Sequence, residues 1–395
     1  MAFEPSPFDP RLAAILAADG FGADLFSERR HVCCELVDAY VAARAADALH
    51  ALALTDPLAA GWQSVDELLA LAATPGFRSQ LQWLLDWLTA RGVLESRGDA
   101  VGYRAAERPP ALDAVALRER ARALDPSFAP AFTLADETAL AYPKVARGEV
   151  TGERALFQRI LLWESYFSND HGYYALNNRV TAQVAAGVHA PGPAQVLELG
   201  AGLGSASTAL LQALQARGTL DRLAAYYATE PVPFFRRRAE RALTAVWPGV
   251  PLHSSALDIN QPWDTQPSCP PAVDLVWGVN VFHLAHDLDA ALAEAFNHLV
   301  PGGWLVLGEG IRPHVGQPVA AEFPFQLLSS FTTIRLDPQT RPEPGFLTGE
   351  HWLAALARAG FVDVRLVPDV LRLRAIHPTF YAAAVCGRRP PSRGL

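Results

Sequence analysis

The sequence of 395 residues predicts an α/β fold, in which a doubly wound parallel sheet follows a helical N-terminal region. Three observations lead to this prediction. After residue 190, short apolar segments typical of strands alternate with helical segments, as in βαβ units. Before residue 110, apolar residues recur instead at helical spacing. The length suits two domains, or one domain with a large extension.

The N-terminal region is predicted to form three helices and a hairpin. Apolar residues at helical spacing indicate one long helix first. Ser64, with Glu67 three residues on, forms a capping box that opens a second helix, which ends at Pro75. A third helix follows, and Gly98-Asp99 then marks the turn of a hairpin. Three helices and a hairpin are the pattern of a winged-helix domain.

The third of these helices indicates what residues 1–110 do. It is dominated by leucine and tryptophan between Leu81 and Leu88, and it has few of the cationic and amide side chains that read DNA. The formal net charge of the chain is −8, which also disfavours nucleic acid as a partner. We therefore expect residues 1–110 to be a dimerisation domain of a homodimer, with no nucleic-acid partner.

Composition sets further limits. No uninterrupted apolar run reaches the roughly 18 residues that indicate a transmembrane helix, and the N-terminus lacks the features of a secretion signal. The histidines are scattered, and the four cysteines show no metal-binding spacing. We expect a cytoplasmic protein with reduced thiols, no metal and no membrane partner.

Residues 111–185 are predicted to form a mostly helical connector. The end of this connector is dense in aromatic and amide side chains, including Tyr166, Tyr173 and Tyr174. Such side chains suit the wall of a substrate site, and they suit an ordinary domain junction equally well.

In the C-terminal half, distinctive residues stand where the predicted strands end. Gly200, Gly202 and Gly204 directly follow the first strand, where only glycine lets the backbone approach a ligand closely. Glu230 ends the second strand and Asp258 the third. Because ligands of open α/β sheets bind at the carboxyl ends of the strands, these residues predict one ligand site.

The glycine loop departs from a dinucleotide-binding fingerprint. Ser205 stands where the fingerprint requires glycine or alanine, and Glu198 would repel a pyrophosphate. The same carboxylate could attract a cationic ligand. An acid at the position of Glu230 hydrogen-bonds ribose hydroxyls in such folds, and Asp258 could accept a hydrogen bond from the exocyclic amine of a base.

With ELGAGLGS, YYATEP, ALDIN, and NVFH followed by LVPGGWLVLGE, residues 190–395 resemble class I S-adenosylmethionine-dependent methyltransferases. The resemblance implies a Rossmann-like methyltransferase domain over residues 186–395 and S-adenosylmethionine as cofactor. It implies that the glycine loop takes the methionine end, Glu230 the ribose and Asp258 the adenine. The N-terminal pattern is similar to the winged-helix dimerisation domain of small-molecule O-methyltransferases. The expected cofactor-binding residues are Glu198, Gly200, Gly202, Gly204, Glu230, Asp258 and Asn280.

His283 comes just after the fourth strand and Glu309 just after the fifth. Because these strands are expected to be neighbours, both side chains should lie at one edge beside the glycine loop. A carboxylate bonded to one imidazole nitrogen fixes the tautomer and leaves the other nitrogen to take a proton. We therefore predict that His283 is a general base oriented by Glu309. A structural histidine is the alternative, and His286 or His171 could be the base instead.

The stretches NVFHLAHDL and LVLGEG also resemble the C-methyltransferase domains of polyketide synthases, which use a histidine–glutamate pair at these motif positions to form an enolate. Winged-helix O-methyltransferases place Asp-Trp after their base histidine, whereas Leu284-Ala285 follow here. The resemblance therefore favours methylation at carbon over oxygen. Residues 311–349 interrupt the sheet topology and are predicted to be a substrate lid, with a plain surface excursion as the alternative.

The predicted function is methyl transfer to a small-molecule acceptor of secondary metabolism, either free or tethered to a carrier protein. A second candidate is other S-adenosylmethionine chemistry, such as cyclisation that releases methylthioadenosine. A third is a winged-helix regulator that senses the cofactor.

Overall fold

The computed structural model of the chain describes residues 3–98, 102–188, 192–266, 269–270, 272–377 and 382–392. Helices dominate its N-terminal part, with one hairpin among them. The elements are α1 (Arg11–Ala18), α2 (Glu28–Ala51), α3 (Thr55–Ala60), α4 (Val65–Ala72), α5 (Arg78–Ala90), strands β1 (Leu94–Arg97) and β2 (Gly102–Ala105), α6 (Ala114–Leu124), α7 (Ala129–Ala146), α8 (Gly152–Phe157), α9 (Ile160–Tyr166) and α10 (Ala175–Val188).

Local sequence signals explain α4 and the hairpin of β1 and β2. The Ser64 hydroxyl oxygen accepts a hydrogen bond from the Glu67 N–H, and the Glu67 carboxylate accepts one from the Ser64 N–H, so the predicted capping box opens α4. Strands β1 and β2 pair antiparallel, as the predicted hairpin requires. Gly98 is in the left-handed region, and Asp99 of the predicted turn lies outside the described residues.

An eight-stranded sheet follows in the C-terminal part. Its elements are β3 (Gln195–Leu199), α11 (Ser205–Ala216), β4 (Ala225–Thr229), α12 (Pro233–Val246), β5 (Leu252–Ser255), β6 (Val273–Val279), α13 (Leu288–Asn297), β7 (Leu299–Arg312), α14 (Glu322–Phe325), α15 (Ser329–Thr332), β8 (Leu347–Thr348), α16 (Gly349–Arg358), β9 (Val362–Val367), α17 (Val370–Leu373) and β10 (Ala382–Arg388).

The strand order is β5-β4-β3-β6-β7-β10-β9, with β8 paired to the end of β7. The five strands β3, β4, β5, β6 and β7 all run parallel, so the predicted doubly wound α/β fold is confirmed. Strand β10 lies between β7 and β9 and is antiparallel to both. For β10 to pair parallel with β9, the chain between them would need a full crossover helix, and the four-residue α17 is too short to provide one.

Residues 319–346, within the segment predicted to be a lid, pack on the N-terminal helices. Val319, Phe323 and Phe331 share one buried apolar cluster with side chains of α2, α5 and α7. The buried carboxylate of Glu322 accepts hydrogen bonds from the indole N–H of Trp83 and from two backbone N–H groups of the segment. The segment therefore joins the two parts of the chain, and its role as a lid stays a prediction.

Candidate active site

A cavity of about 330 Å³ opens where β3, β6 and β7 end. The lining is mostly apolar and aromatic, which suits a small organic ligand. Its walls come from the glycine loop after β3, the turn after β6, the start of α2, the region of α9 and α10, and residues 321–346. The lining includes Arg30, Trp163, Tyr166, Phe167, Tyr173, Tyr174, Asn177, Gly200, Gly202, Asn280, His283, Phe325 and Phe346.

His283 and Glu309 meet at this cavity. His283 lies in a 3₁₀ turn directly after β6, and Glu309 lies near the end of the neighbouring strand β7. The His283 Nδ1 atom is 2.6 Å from the Glu309 Oε2 atom, and both side chains are buried. The predicted juxtaposition is therefore present, because adjacent parallel strands carry the two groups to one edge of the sheet.

The surroundings of Glu309 determine which imidazole nitrogen is free. Glu309 Oε1 accepts hydrogen bonds from the backbone N–H groups of Phe282 at 2.9 Å and Val281 at 3.3 Å. A carboxylate that already accepts these donors favours a proton on His283 Nδ1. Among the described residues Nε2 has no hydrogen-bond partner, and His283 lines the cavity. The Nε2 lone pair is thus available to a ligand.

Aromatic rings fix the other faces of the imidazole. The centroid of the Phe346 ring lies 5.0 Å from that of the His283 ring, and the centroid of the Phe331 ring lies 5.7 Å from it. Both contacts are edge-on. A Cβ atom at Gly310 would stand 2.8 Å from the Phe346 ring, so this glycine allows the ring to approach β7. The packing excludes water from one side of the histidine and leaves the cavity side open.

Arg341, which the sequence analysis missed, holds the turn that carries His283. Its buried guanidinium donates to the backbone carbonyl oxygens of His283 and Ala285. The pKa of Arg341 falls to about 10 because burial outweighs the attraction of Glu309 and Asp287. A lone arginine in an irregular segment gives no sequence signal for this contact.

The glycine loop after β3 has the backbone that only glycine adopts readily. Gly200, Gly202 and Gly204 have φ angles of 63°, 55° and 84°. A Cβ atom at Gly200 would stand 2.5 Å from the Val281 side chain, whereas at Gly202 the nearest heavy atom would be 3.9 Å away. Gly200 thus serves close packing, and Gly202 leaves space that a ligand could fill.

Glu230 directly follows β4, as predicted, whereas β5 ends at Ser255, three residues before Asp258. The described cavity lining includes neither carboxylate. Glu230 Oε2 accepts from the Gly202 N–H at 3.0 Å, so this carboxylate shapes the glycine loop. Burial raises the pKa of Glu230. Asp258 accepts from the Asn260 N–H and is held by Gln266.

Glu198 points away from the cavity. Its Oε2 atom accepts hydrogen bonds from the hydroxyls of Ser207 at 2.5 Å and Tyr226 at 2.8 Å, behind the loop. Burial raises the pKa of Glu198 to about 7. The geometry favours an indirect role in which Glu198 secures the start of α11.

The remaining predicted residues divide between the cavity and its surroundings. Tyr166, Tyr173 and Tyr174 all line the cavity. Asn280, with a φ of 57°, also lines it, and its side chain is hydrogen-bonded to those of Asn177 and Tyr174.

Neither alternative base lines the cavity. His286 is exposed and contacts the Thr333 carbonyl oxygen. His171 contacts the Tyr166 carbonyl oxygen, and burial lowers its pKa to about 4. In the part of the chain that the structure describes, no three His, Cys, Asp or Glu side chains are grouped to hold a metal ion. No described helix is both long and apolar enough to cross a membrane.

Residues 197–305, from the glycine-loop strand through His283 into β7, match the family model of a methyltransferase domain. The chain contains a methyltransferase domain. This match confirms the prediction of a methyltransferase enzyme whose cofactor is S-adenosylmethionine. The open space at Gly202 and the glycine-rich backbone fit a cofactor at the end of β3. The winged-helix character of residues 1–110 stays a prediction.

Solved structures share the fold along most of the methyltransferase chain. The CurJ carbon methyltransferase superposes with a TM-score of 0.73 at 19% identity, covering 96% of each chain. The DszA carbon methyltransferase superposes with a TM-score of 0.71 at 20% identity, covering the whole of both chains. The C-methyltransferase domain of the citrinin polyketide synthase superposes with a TM-score of 0.71 at 15% identity, covering 96% of each chain. These likenesses confirm the fold.

Among curated proteins, the methyltransferase resembles short stretches of very long ones. It is 30% identical to the highly reducing polyketide synthase valA of Aspergillus terreus over 229 residues, which are 56% of this chain and 9% of that protein. It is 32% identical to fumosorinone synthetase of Cordyceps fumosorosea over 170 residues, 42% of this chain and 4% of that protein. The matched region is thus less than a tenth of either relative.

Proposed function

We propose that this enzyme methylates a carbon atom of a small acceptor, with His283 as the general base and Glu309 as its orienting partner. The observation that carries the proposal is the 2.6 Å contact between His283 Nδ1 and Glu309 Oε2, which leaves Nε2 toward the cavity. A base must reach the proton it removes, and His283 alone of the three candidate histidines lines the cavity.

The proposed reaction begins with an acidic C–H bond of the acceptor beside His283 Nε2. The imidazole takes this proton, and the negative charge of Glu309 stabilises the imidazolium that forms. S-adenosylmethionine, when bound, supplies an electrophilic methyl group. The cavity holds the carbanion of the acceptor in place and limits its access to water, so orientation lowers the barrier.

A carbon acid between two carbonyl groups suits this site better than an alcohol. A neutral imidazole is a weak base, so it works best on a proton that the acceptor already holds loosely. The described lining is mostly apolar and includes many aromatic rings, which accommodates an apolar acyl chain. Similar structures named as carbon methyltransferases and relatives named as polyketide synthases support the same choice. We infer a β-ketoacyl acceptor, either free or tethered to a carrier.

The cofactor-binding roles belong to the same proposal. Gly200, Gly202 and Gly204 would line the methionine end, with Asn280 beside them. Glu230 and Asp258 would bind the ribose and adenine. Glu198 would act from behind the loop through Ser207.

The test is to incubate the wild-type protein with S-adenosylmethionine and the N-acetylcysteamine thioester of 3-oxohexanoate. We expect a product methylated at the carbon between the carbonyls, located by NMR, together with S-adenosylhomocysteine. His283→Ala should abolish transfer while the affinity for S-adenosylhomocysteine, measured by calorimetry, stays near that of the wild type. His286→Ala is the matched control, because this exposed histidine does not line the cavity.

Three results would contradict the proposal. Methylation at oxygen would show that the acceptor class is wrong. Release of methylthioadenosine would support cyclisation instead. Intact turnover per bound cofactor in His283→Ala would remove His283 from the reaction.

The homodimer is also a proposal, and it is supported by the winged-helix-like pattern of residues 1–110. Sedimentation equilibrium should give twice the monomer mass of 42.6 kDa. A monomer at micromolar concentration would contradict it. The cytoplasmic location inferred from the composition likewise stays a prediction.

A further inference from the structure

The charge of the cavity lining is unusual for a site that takes a cationic cofactor. Among the lining residues that the structure describes, Arg30 is the one side chain with a permanent charge, and no Asp or Glu lines the cavity. Three histidines, including His283, are the other lining groups that can become cationic. The described lining therefore carries a fixed positive charge and no carboxylate.

The guanidinium of Arg30 is poorly satisfied by the protein. Among the described residues, its guanidinium lies over the Phe128 ring and makes one hydrogen bond, from an Nη atom to the Tyr173 carbonyl oxygen at a long 3.4 Å. Its Nε atom is buried and has no partner among the described residues. The nearby carboxylate of Asp125 is occupied elsewhere, since it pairs with Arg29 and accepts from the Ser127 hydroxyl at 2.6 Å. Buried donors are normally hydrogen-bonded, so Arg30 lacks an acceptor that a ligand could supply.

A second arginine in the same chain differs from Arg30 in having carboxylate partners for its charge, although its Nε atom likewise has no hydrogen-bond partner among the described residues. Arg312 is buried between the carboxylates of Glu322 and Glu343. Although burial opposes its charge, these two carboxylates raise the pKa of Arg312. Burial lowers the pKa of Arg30, and the positive charge of Arg179 adds to this effect.

The other acidic groups of the lining do not supply the missing negative charge. Burial raises the pKa of the Cys34 thiol to about 12 and that of the Tyr174 hydroxyl to about 12. Burial also raises the pKa of Tyr166. All three groups are neutral near pH 7, so none of them pairs with the Arg30 charge, and a ligand carboxylate would be its direct partner inside the cavity.

We propose that Arg30 binds a carboxylate of a ligand inside this cavity. Two ligands could supply one: the amino-acid arm of the cofactor, and an acceptor with a carboxylate on its chain. The first source rests on the proposed cofactor site, and the lining favours it because Arg30 faces the same cavity as Gly200 and Gly202 of the glycine loop.

The experiment compares ligands with and without the carboxylate on the full-length protein. Calorimetry measures the Kd of S-adenosylhomocysteine and of 5′-methylthioadenosine, which lacks the amino-acid arm. The variants are Arg30→Gln, which removes the charge, and Arg30→Lys, which keeps it. Arg29→Gln is the matched control, because this neighbouring side chain is 65% exposed and does not line the cavity.

If the cofactor supplies the carboxylate, Arg30→Gln raises the Kd of S-adenosylhomocysteine roughly 10- to 100-fold, as expected for a lost hydrogen bond between charged groups. The Kd of methylthioadenosine stays unchanged, Arg30→Lys gives an intermediate value, and Arg29→Gln behaves as wild type. If Arg30 had only a structural role, Arg30→Gln would weaken the binding of S-adenosylhomocysteine and of methylthioadenosine alike.

If an acceptor supplies the carboxylate, the Kd of S-adenosylhomocysteine stays the same in Arg30→Gln. The ratio of kcat/KM for the 3-oxoadipyl thioester to that for the 3-oxohexanoyl thioester then falls at least about ten-fold. These two probes differ mainly by a terminal carboxylate.

The proposal is overturned if Arg30→Gln changes neither quantity, or if it weakens both cofactor analogues equally. Wild-type protein that binds neither analogue would contradict the proposed methyltransferase site itself. That result is distinct from normal wild-type binding that is insensitive to residue 30.

Discussion

The guanidinium of Arg341 donates a hydrogen bond to the backbone carbonyl oxygen of His283. The same guanidinium also reaches the carbonyl oxygen of Ala285, so one side chain spans the turn that follows β6. The irregular segment before Arg341 adds further contacts: the Arg335 N–H donates to the His286 carbonyl oxygen at 2.8 Å, and the Arg335 side chain pairs with Asp287. The position of the imidazole is therefore set from behind by residues 335–341 as well as by Glu309.

Replacing Arg341 with Met should slow catalysis without weakening cofactor binding. The change removes the Arg341 donors from the carbonyl oxygens of His283 and Ala285. A shift of the His283 side chain by about 1 Å would lower kcat roughly 100-fold. Steady-state kinetics and calorimetry with S-adenosylhomocysteine measure the two quantities. Added guanidinium ion should restore part of the activity of Arg341→Ala. Arg78→Gln, which removes an exposed ion pair with Asp66 outside this segment, is the control. Unchanged kcat in Arg341→Met would show that the turn holds its position without this contact.

Glu309→Gln should impair proton removal more than it impairs folding. An amide can still accept from the Phe282 N–H, but it cannot carry the charge that stabilises the imidazolium. We expect kcat to fall roughly 10²- to 10⁴-fold, the range typical of general-base catalysis. Hydrogen–deuterium exchange at the acidic carbon of the thioester, followed by NMR in D₂O with S-adenosylhomocysteine present, should slow in parallel. Glu350→Gln, which removes a surface ion pair with Arg374, should leave both rates intact. Normal exchange in Glu309→Gln would mean that another group assists the base.

Glu198 should make stability depend on pH. Burial raises its pKa from 4.5 to about 7, so the folded state binds the proton more tightly than the unfolded state. The cost of its negative charge is absent below pH 4.5, grows as the pH rises, and is complete above about pH 7. Relative to Glu198→Gln, the wild type should lose on the order of 1 to 3 kcal/mol of unfolding free energy between pH 5 and pH 8. Urea denaturation at the two pH values measures this difference. If the difference in unfolding free energy between the wild type and Glu198→Gln were the same at pH 5 and pH 8, Glu198 would not titrate in this range.

Gly200→Ala should destabilise the protein through a clash in addition to backbone strain. The left-handed φ of 63° costs about 1 kcal/mol for alanine, and the new Cβ atom would stand 2.5 Å from Val281. Gly92→Ala is a matched control, because Gly92 has a φ of 70° and open space around its Cβ position. The melting temperature should fall further for Gly200→Ala, and its affinity for S-adenosylhomocysteine should fall as well. Equal melting temperatures would show that the loop can move away from Val281.

The residues at the ends of the strands could be placed from the sequence because the physics there is regular. Neighbouring parallel strands bring their carboxyl ends together, so the apolar runs before His283 and Glu309 were enough to predict their contact. The direction of Glu198 could not be read in the same way. Side chains alternate along a strand, and only the packing of Tyr226 and Ser207 shows that this carboxylate faces the helix behind the loop.

The residues that the sequence did not reveal act across long separations in the chain. Arg341 reaches His283 from 58 residues away, out of a segment with no periodic pattern. Arg30 lies on α2, whose apolar spacing predicted a helix. That spacing said nothing about which of its charged side chains would face a cavity shared with the glycine loop, which begins 170 residues downstream at Gly200. Such contacts depend on how the two parts of the chain dock, and local propensity carries no information about that.

The cavity walls come from both parts of the chain, and this has a consequence for engineering. Residues of α2 and of the α9–α10 region face the same space as the glycine loop and His283. Exchange of the N-terminal 185 residues with those of a related enzyme should therefore change which acceptors are used and leave the chemistry of transfer intact. Libraries that seek new acceptors would gain most from diversifying this N-terminal wall, whereas a C-terminal half expressed alone would present an open groove.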